Sequence, residues 1–225
     1  MYNHRGFDGE ILPFPPGKVV CVGRNYVDHV HELNSEMPTQ PLLFMKPASS
    51  LRHVSEPVNI PADRGSCHNE LEIALLIGKT LSSQTSIPVR SAIWGVGLGL
   101  DLTLRDVQTE LKAKGLPWER AKSFDGACPV SDFVPIQQID NLDTLTFNLK
   151  VNQQIRQLGD AALMIWNIDS LLMQISQVFT LSPGDIVLTG TPKGVGPLSD
   201  GDEVSMTLDG HFSLHTRVFS NKDGE

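Results

Sequence analysis

Two glutamates, Glu70 and Glu72, lie at the start of an otherwise apolar segment, HNELEIALLIGK (residues 68–79). Because successive side chains of a β-strand point to opposite faces, both carboxylates point to the same side if this segment is extended. Their face continues through Ala74 and Leu76, which predicts that the strand runs into the core. Two neighbouring ionised carboxylates repel, and one takes up a proton unless a cation lies between them. The pair therefore indicates a site for a hard divalent cation, although an exposed amphipathic strand would also carry such charges.

A third oxygen ligand is expected from Asp101, which follows the glycine-rich segment GVGLGL. Glycines in a strand allow another backbone to approach closely, but an aspartate here could equally be a helix N-cap or a turn residue. Three carboxylates without Cys or His favour Mg²⁺, Mn²⁺ or Ca²⁺ over zinc. His68 shares the face of the two glutamates. It could be a fourth ligand, and we expect it rather to be a hydrogen-bond partner of a ligand.

The segment DHVHEL places His29 and Glu32 three residues apart, so that they are neighbours on one side of a helix. A carboxylate that holds an imidazole in one tautomer makes a general base suited to neutral pH. The alternative is a solvated helix face. His31 points away from this side of the helix.

Further polar groups follow Asp101 along the chain. Arg105 and Gln108 are three apart on a predicted helix, where an arginine beside a metal can bind a carboxylate, or can simply be a surface charge. Lys122 falls in a polar segment, where an exposed lysine is the usual case. The segment LTGTPKGVGPL (residues 188–198) does not match the Walker pattern; it could present backbone N–H groups to an anion or form a tight turn.

The composition is that of one soluble globular domain: 225 residues, 40% hydrophobic and 20% charged. A net charge of -8 without a Lys/Arg block argues against binding to nucleic acid or to an anionic membrane. An anionic substrate would therefore need a local cation. Three scattered cysteines indicate neither a disulfide framework nor a zinc site. The sequence has no apolar run of membrane-spanning length, so we expect a cytoplasmic protein. A targeting peptide that was cleaved from the chain earlier is the alternative.

The predicted elements alternate short strands with a few helices, which indicates an α+β fold that is predominantly β. Residues 1–16 are expected to form an N-terminal arm, and Gly115 is expected to cap the helix RDVQTELKAKG. The expected strands are KVVCVG, PLLFMKP, HNELEIALLIGK, the later part of RSAIWGVGLGLDLTL, a hairpin around Asn152-Gln153, and GDIVLTG, DEVSMTLDG and HFSLHTRVF, with a turn at Asp209-Gly210. The expected helices are NYVDHVHELNS, RDVQTELKAKG and NIDSLLMQISQVF.

Six blocks, in this order, resemble the fumarylacetoacetate hydrolase family: GRNYVDH, PLLFMKP, HNELEIALLIGK, LDLTLRDVQ, LPWERAKSFDGACPVSDF and PGDIVLTGTPKGVGPL. The resemblance is closest to the short, single-domain acylpyruvate hydrolase branch and covers residues 17–218, which leaves residues 219–225 as a C-terminal tail. It implies mixed strands rolled into a barrel-like sandwich and a homodimer.

The resemblance also implies roles for particular residues. It implies Mg²⁺ in the first place, with Mn²⁺ or Ca²⁺ as alternatives, held by Glu70, Glu72 and Asp101. It implies that His29 and Glu32 form the general-base pair, in a segment that closes over bound ligand. The residues that it places around the substrate are Arg24, Arg105, Gln108, Lys122, Gly190 and Thr191, with Lys122 also acting in catalysis.

The function expected from this resemblance is hydrolysis of the C–C bond of a small 3-acylpyruvate to pyruvate and a carboxylic acid. His29 would take a proton from water, and the hydroxide would attack the distal carbonyl. Oxaloacetate decarboxylation is expected as a second activity, because it forms the same pyruvate enolate. The alternatives are a decarboxylase, an oxaloacetate tautomerase or a hydratase of the same family, or a non-catalytic protein that binds metal or oxo acids.

Overall fold

The computed structural model describes residues 2–33 and 35–221. The helices are α1 (Val27–Glu32), α2 (Arg105–Ala113), α3 (Glu119–Lys122) and α4 (Ile168–Val178). The strands are β1 (Val19–Gly23), β2 (Leu42–Lys46), β3 (Leu51–His53), β4 (Val58–Pro61), β5 (Cys67–Asn69), β6 (Leu71–Ile77), β7 (Ile93–Leu100), β8 (Thr103–Leu104), β9 (Cys128–Val130), β10 (Val134–Pro135), β11 (Thr146–Val151), β12 (Gln154–Asp160), β13 (Ile186–Leu188), β14 (Gly196–Pro197), β15 (Glu203–Leu208) and β16 (Phe212–Asn221).

The expected α+β, predominantly β fold class is confirmed, with 38% strand and 21% helix, and the largest sheet curls into a half-barrel. That sheet has the strand order β2-β1-β13-β6-β7-β9-β3, and β10 pairs with β7. The pairs β1–β13 and β3–β9 are parallel, whereas β6 is antiparallel to both of its neighbours. A second sheet has the order β12-β11-β15-β16-β4, and a small third one the order β14-β5-β8.

Strand β6 is buried over its whole length, because the sheet is covered on both faces. Ile73, Leu75 and Ile77 pack into the larger of two hydrophobic clusters. Ala74 and Leu76 pack into the smaller cluster on the opposite face. The prediction that this strand runs into the core is therefore confirmed. Because β6 is packed on both faces, the end of the strand beside the two glutamates is held in place.

Local sequence signals account for several element ends. Gly115 has φ 62 after α2, as predicted for its cap. The Asn167 side chain accepts a hydrogen bond from Ser170 N at the start of α4. The hairpin of β11 and β12 turns at Asn152 and Gln153 as expected, with both residues at positive φ.

The last described residues belong to the second sheet. Strand β16 pairs in parallel with β4 and continues to Asn221, so residues 219–221 of the expected C-terminal tail are part of a strand, and residues 222–225 lie outside the described residues. Within the described residues, none of the helices combines the length and the apolar character that crossing a bilayer requires.

The N-terminal arm is joined to the body through a buried histidine. His4 Nε2 donates to the Gly184 carbonyl at 2.9 Å, and its Nδ1 accepts from the Tyr2 hydroxyl at 3.1 Å. The hydrogen bond from Tyr2 requires the neutral imidazole, because a protonated Nδ1 cannot accept a hydrogen bond. Burial lowers the pKa of His4 below its usual 6.5, against the raising effect of its hydrogen bond to Gly184.

This histidine predicts an acid-dependent loss of stability. The unfolded chain takes up a proton at His4 more readily than the folded chain does. The contribution of neutral His4 to the free energy of unfolding is therefore complete above pH 6.5, and it is lost as the pH falls towards the lower pKa of the folded state. The unfolding temperature of His4→Gln, measured against pH, should therefore fall less steeply below this value than that of the unchanged protein. Parallel profiles for the two proteins would contradict the assignment.

Candidate active site

Three buried carboxylates converge at the ends of β6 and β7. One oxygen each from Glu70, Glu72 and Asp101 lies within 4.8 Å of the others. The expected single strand is interrupted at Glu70, because β5 pairs with β8 and β14 whereas β6 pairs with β7 and β13. The antiparallel register pairs Leu71 with Leu100, and Asp101 N donates to the Glu70 carbonyl at 2.8 Å. The strand pairing therefore brings together carboxylates that are 31 residues apart in sequence, from 70 to 101.

Two lysines lie against these carboxylates. Lys122 Nζ donates to Glu70 Oε2 at 2.8 Å and to Asp101 Oδ2 at 2.5 Å. Lys46 Nζ forms an ion pair with Asp101 Oδ1 at 2.7 Å, and it is completely buried. The Arg105 guanidinium donates to Glu70 Oε1. Lys122 is itself buried at the end of α3, so the alternative of an exposed lysine in a polar loop is wrong.

The neighbouring charges shift the pKa values of Glu70 and Glu72 in opposite directions. Burial raises the pKa of Glu70, but Lys122 and Arg105 together hold it well below its usual range. Burial and the negative charges of Asp101 and Glu70 raise the pKa of Glu72 well above its usual range. Within residues 2–33 and 35–221, Glu72 has no ion pair, and its Oε2 accepts a hydrogen bond from Gly190 N at 2.6 Å.

These residues fit a divalent cation. Their donor atoms are all carboxylate oxygens, which are the ligands of hard cations such as Mg²⁺ and Mn²⁺. The charge of a divalent cation beside Glu72 would favour the ionised form of this carboxylate, which its acidic neighbours oppose. His68 lies outside the group of three ligands, and its Nδ1 has no hydrogen-bond partner in the part of the chain that the structure describes.

The histidine–glutamate pair forms as its spacing predicts. His29 Nδ1 donates to Glu32 Oε2 at 3.0 Å, which leaves Nε2 free to exchange a proton. His29 is buried, whereas His31 on the other side of α1 is exposed. Glu32 Oε1 accepts from Gly194 N at 2.9 Å, and Lys193 forms an ion pair with Asp28 at 2.8 Å. Helix α1 is thus joined at two points to the loop that follows β13.

One cavity collects these groups. Its walls include the predicted residues Arg24, His29, Glu70, Glu72, Arg105, Gln108, Lys122 and Thr191. The other predicted residues, Glu32, Asp101 and Gly190, contact wall residues through the hydrogen bonds given above. The free volume of this cavity is about 30 Å³.

The turn that carries Arg24 depends on its neighbour Asn25. Asn25 is fully buried, and its amide nitrogen donates to Thr189 O at 2.7 Å while its oxygen accepts from Trp166 N at 2.8 Å. Arg24 itself has φ 63. A Cβ on Gly190 would lie 2.5 Å from that of Asn25, so the close packing of this turn on the loop after β13 requires a glycine.

Sequence reasoning missed several groups at this site. Lys46 had a signal, because a lysine inside the apolar strand PLLFMKP needs a buried partner. Lys112 had one too, because it follows Gln108 by four residues and shares its helix face. Trp118 had none: it comes from the segment before α3, and its ring lies 5.7 Å from that of Phe44.

Comparisons with known proteins found a family model and similar sequences. Residues 18–219 match the model of the fumarylacetoacetate hydrolase C-terminal family. The chain is 50% identical over 219 residues to the oxaloacetate tautomerase YcgM of Escherichia coli (strain K12), covering 97% of this chain and all of that protein. It is 40% identical over 197 residues to a mitochondrial oxaloacetate decarboxylase of Dictyostelium discoideum, with 86% and 89% covered.

Solved structures also resemble the chain in fold. A fumarylacetoacetate hydrolase family protein from Yersinia pestis CO92 superposes with a TM-score of 0.94 at 45% identity, covering 97% of this chain and all of that one. A fumarylpyruvate hydrolase from Pseudomonas aeruginosa, in complex with Mn²⁺ and pyruvate, superposes with a TM-score of 0.89 at 32% identity, covering 98% and 96%.

Proposed function

Since the chain belongs to the fumarylacetoacetate hydrolase family, we propose that it is an enzyme that interconverts the enol and keto forms of oxaloacetate. The expected acylpyruvate hydrolysis becomes the second candidate, because relatives at 50% and 40% identity are named for oxaloacetate chemistry. The hydrolase among the solved structures is more distant, at 32% identity.

The observation that carries the proposal is the set of cations around the carboxylate triad. The cavity is lined by Arg24, Arg105, Lys112 and Lys122. Lys122 and Arg105 are already paired with Glu70, whereas Arg24 and Lys112 have no ion pair among the described residues. Oxaloacetate carries two carboxylates, so a protein of net charge -8 can hold it where positive charge is concentrated in this way.

Tautomerisation needs only proton transfers. Converting the enol into the keto form removes one proton from the C2 hydroxyl and adds one at C3, without water and without breaking a C–C bond. A divalent cation held by Glu70, Glu72 and Asp101 supplies, when bound, positive charge that favours ionisation at the C2 oxygen. His29 Nε2 accepts or returns a proton, and Glu32 keeps the imidazole in the tautomer that allows this.

Other side chains bind and orient the substrate. Arg105 and Gln108 lie on one face of α2, where Arg105 Nη1 donates to Gln108 Oε1 at 2.6 Å, so the guanidinium is fixed in direction. Thr191, on the loop after β13, lines the same cavity. Hydrolysis of an acylpyruvate would use the same residues, with His29 taking its proton from water. For this reason the fumarylpyruvate hydrolase with pyruvate supports hydrolysis as the second candidate.

We propose Mg²⁺ as the native cation, with Mn²⁺ as the alternative that the Pseudomonas structure supports. We also propose that the protein is cytoplasmic, because its three cysteines are free and buried, which suits a reducing compartment.

We further propose that the protein is a homodimer. Light scattering measures its oligomeric state directly.

A substrate panel tests the function. The enzyme with Mg²⁺ is given oxaloacetate, acetylpyruvate and fumarylpyruvate, and enol–keto conversion and pyruvate release are both followed. The proposal predicts that the kcat/KM for conversion of oxaloacetate exceeds that for pyruvate release from any of the three substrates. A higher kcat/KM for release of pyruvate from acetylpyruvate or fumarylpyruvate would make the chain a hydrolase instead.

Lys112 gives a prediction about substrate choice. Its ammonium lies at the cavity beside Arg24 and Arg105, and burial together with these two charges lowers its pKa. We expect Lys112→Gln to raise the KM for oxaloacetate about two- to fivefold, the range of a partly solvated charge pair. The inhibition constant of pyruvate, which has a single carboxylate, should stay unchanged.

The matched control is Lys114→Gln. Lys114 lies two residues further along the chain and pairs with Glu110 in solvent, so its replacement should alter neither constant. Equal effects of Lys112→Gln on oxaloacetate and on pyruvate would show that Lys112 does not select for the second carboxylate.

A further inference from the structure

A buried glutamine from the second sheet reaches the site without touching the cavity. Gln157 lies on β12, where the residues on either side of it are exposed and its own side chain is completely buried. A buried amide without partners costs free energy, so its hydrogen bonds matter to the protein.

All hydrogen-bonding positions of the Gln157 amide are used. Its Nε2 donates to Thr191 Oγ1 at 2.8 Å and to the Pro192 carbonyl at 2.9 Å. Its Oε1 accepts from Asn69 Nδ2 and from Leu71 N, both at 2.9 Å. The two donor and two acceptor positions of one amide are thereby filled.

The two halves of this amide contact two different parts of the site. The acceptor half binds Leu71 N, and Leu71 lies between Glu70 and Glu72. The donor half binds the loop after β13, whose Thr191 hydroxyl also donates to the Leu71 carbonyl at 2.8 Å. A shift of Gln157 would therefore move the carboxylates and the loop relative to each other.

The same loop is connected to the histidine pair. A Cβ on Gly194 would lie 1.7 Å from the Arg156 carbonyl, so the loop packs directly on the backbone of β12 beside Gln157. Gly194 N donates to Glu32, and Asn69 Nδ2 also donates to the Gly194 carbonyl at 3.3 Å. The position of β12 is thus linked to the carboxylate that orients His29.

We propose that Gln157 is a positioning residue, which fixes the metal-binding strand through its carbonyl and the substrate-binding loop through its amide nitrogen. The proposal rests on the roles given above to Glu70, Glu72 and Thr191. A buried glutamine that only stabilised the fold would affect metal binding and substrate binding together, in proportion to the loss of stability.

Two variants separate the halves of the amide. Gln157→Glu keeps both acceptors and loses at least one of the two donations to Thr191 and Pro192, because a carboxyl group carries at most one proton. Gln157→Met loses all four hydrogen bonds. Gln154→Met is the control, because Gln154 lies on the same strand and is exposed. For each, calorimetry gives the affinity for Mn²⁺ alone and then for pyruvate in saturating Mn²⁺, and thermal unfolding gives the stability.

We expect Gln157→Glu to bind Mn²⁺ at least as tightly as the unchanged protein and pyruvate about tenfold more weakly. Gln157→Met should weaken both by about tenfold, as the loss of a group that orients metal ligands does elsewhere. The proposal is wrong if Gln157→Glu weakens the affinities for Mn²⁺ and pyruvate equally, or if it leaves both unchanged. The result for Gln157→Glu tests the proposal even if Gln157→Met does not fold. Neither affinity depends on turnover of oxaloacetate, so failure of the proposed function would be seen separately.

Discussion

Glu70→Ala should abolish metal binding and reduce the kcat/KM for oxaloacetate by about 10³-fold or more, since a cation in such a site supplies several kcal/mol and each 1.4 kcal/mol is about tenfold. Lys122 and Arg105 hold the pKa of Glu70 well below its usual range, so this carboxylate is ionised at neutral pH. Its loss also leaves the buried Lys122 and the partly buried Arg105 with one partner fewer each. Mn²⁺ calorimetry and steady-state kinetics measure the two effects.

The control for this change is Glu110→Ala. Glu110 is an exposed glutamate of α2 that pairs with Lys114, and its loss should alter neither metal affinity nor turnover. Full activity of Glu70→Ala, or unchanged activity of the natural sequence in excess chelator, would remove the metal from the account.

Glu32→Gln should reduce kcat by about 10²- to 10⁴-fold, the usual contribution of general acid–base catalysis, while the affinity for Mn²⁺ stays the same. A glutamine still accepts from Gly194 N, so α1 stays joined to the loop. It lacks the negative charge that holds the His29 Nδ1–H and stabilises the protonated imidazole. The change thus affects the proton transfer more than the architecture.

Asp28→Asn separates catalysis from the attachment of α1. Asp28 is exposed and joins the same helix to the same loop through Lys193. Its replacement should change kcat no more than about twofold, as expected for an exposed ion pair. If Asp28→Asn lowered kcat as much as Glu32→Gln, the pair of His29 and Glu32 would matter for closing the site and not for proton transfer.

Local spacing was sufficient for some parts of this site. The period of two in β6 correctly gave the face shared by Glu72, Ala74 and Leu76, and the i, i+3 spacing gave the contact of His29 with Glu32. Both are properties of a single element, so no knowledge of the rest of the fold was needed.

Other parts depend on distant strands and could not be read locally. Asp101 meets Glu70 only because β6 and β7 pair in one register, which the sequence does not specify. Lys46 and Lys122 are 76 residues apart in sequence and contact the two different carboxylate oxygens of Asp101. Gln157 gave no signal, because an isolated polar residue in the strand QIRQLGD is ordinary on an exposed hairpin.

The reaction is the least accessible from sequence. A histidine–glutamate pair beside three carboxylates serves proton transfer to carbon and activation of water equally well. The residues therefore indicated the family and the metal, whereas the preference for tautomerisation over hydrolysis rests on the relatives. The cations that line the cavity support a substrate with two carboxylates.

The most direct test of the central claim follows both reactions in one sample. Enol-rich oxaloacetate is mixed with the Mg²⁺-loaded enzyme, and the decay of enol absorbance and the appearance of pyruvate are recorded together, with Glu32→Gln as the reference. We predict that the enol form decays to its equilibrium level faster than with the reference variant and well before pyruvate accumulates. Enol decay no faster than with Glu32→Gln, or decay that only keeps pace with pyruvate formation, would contradict the account.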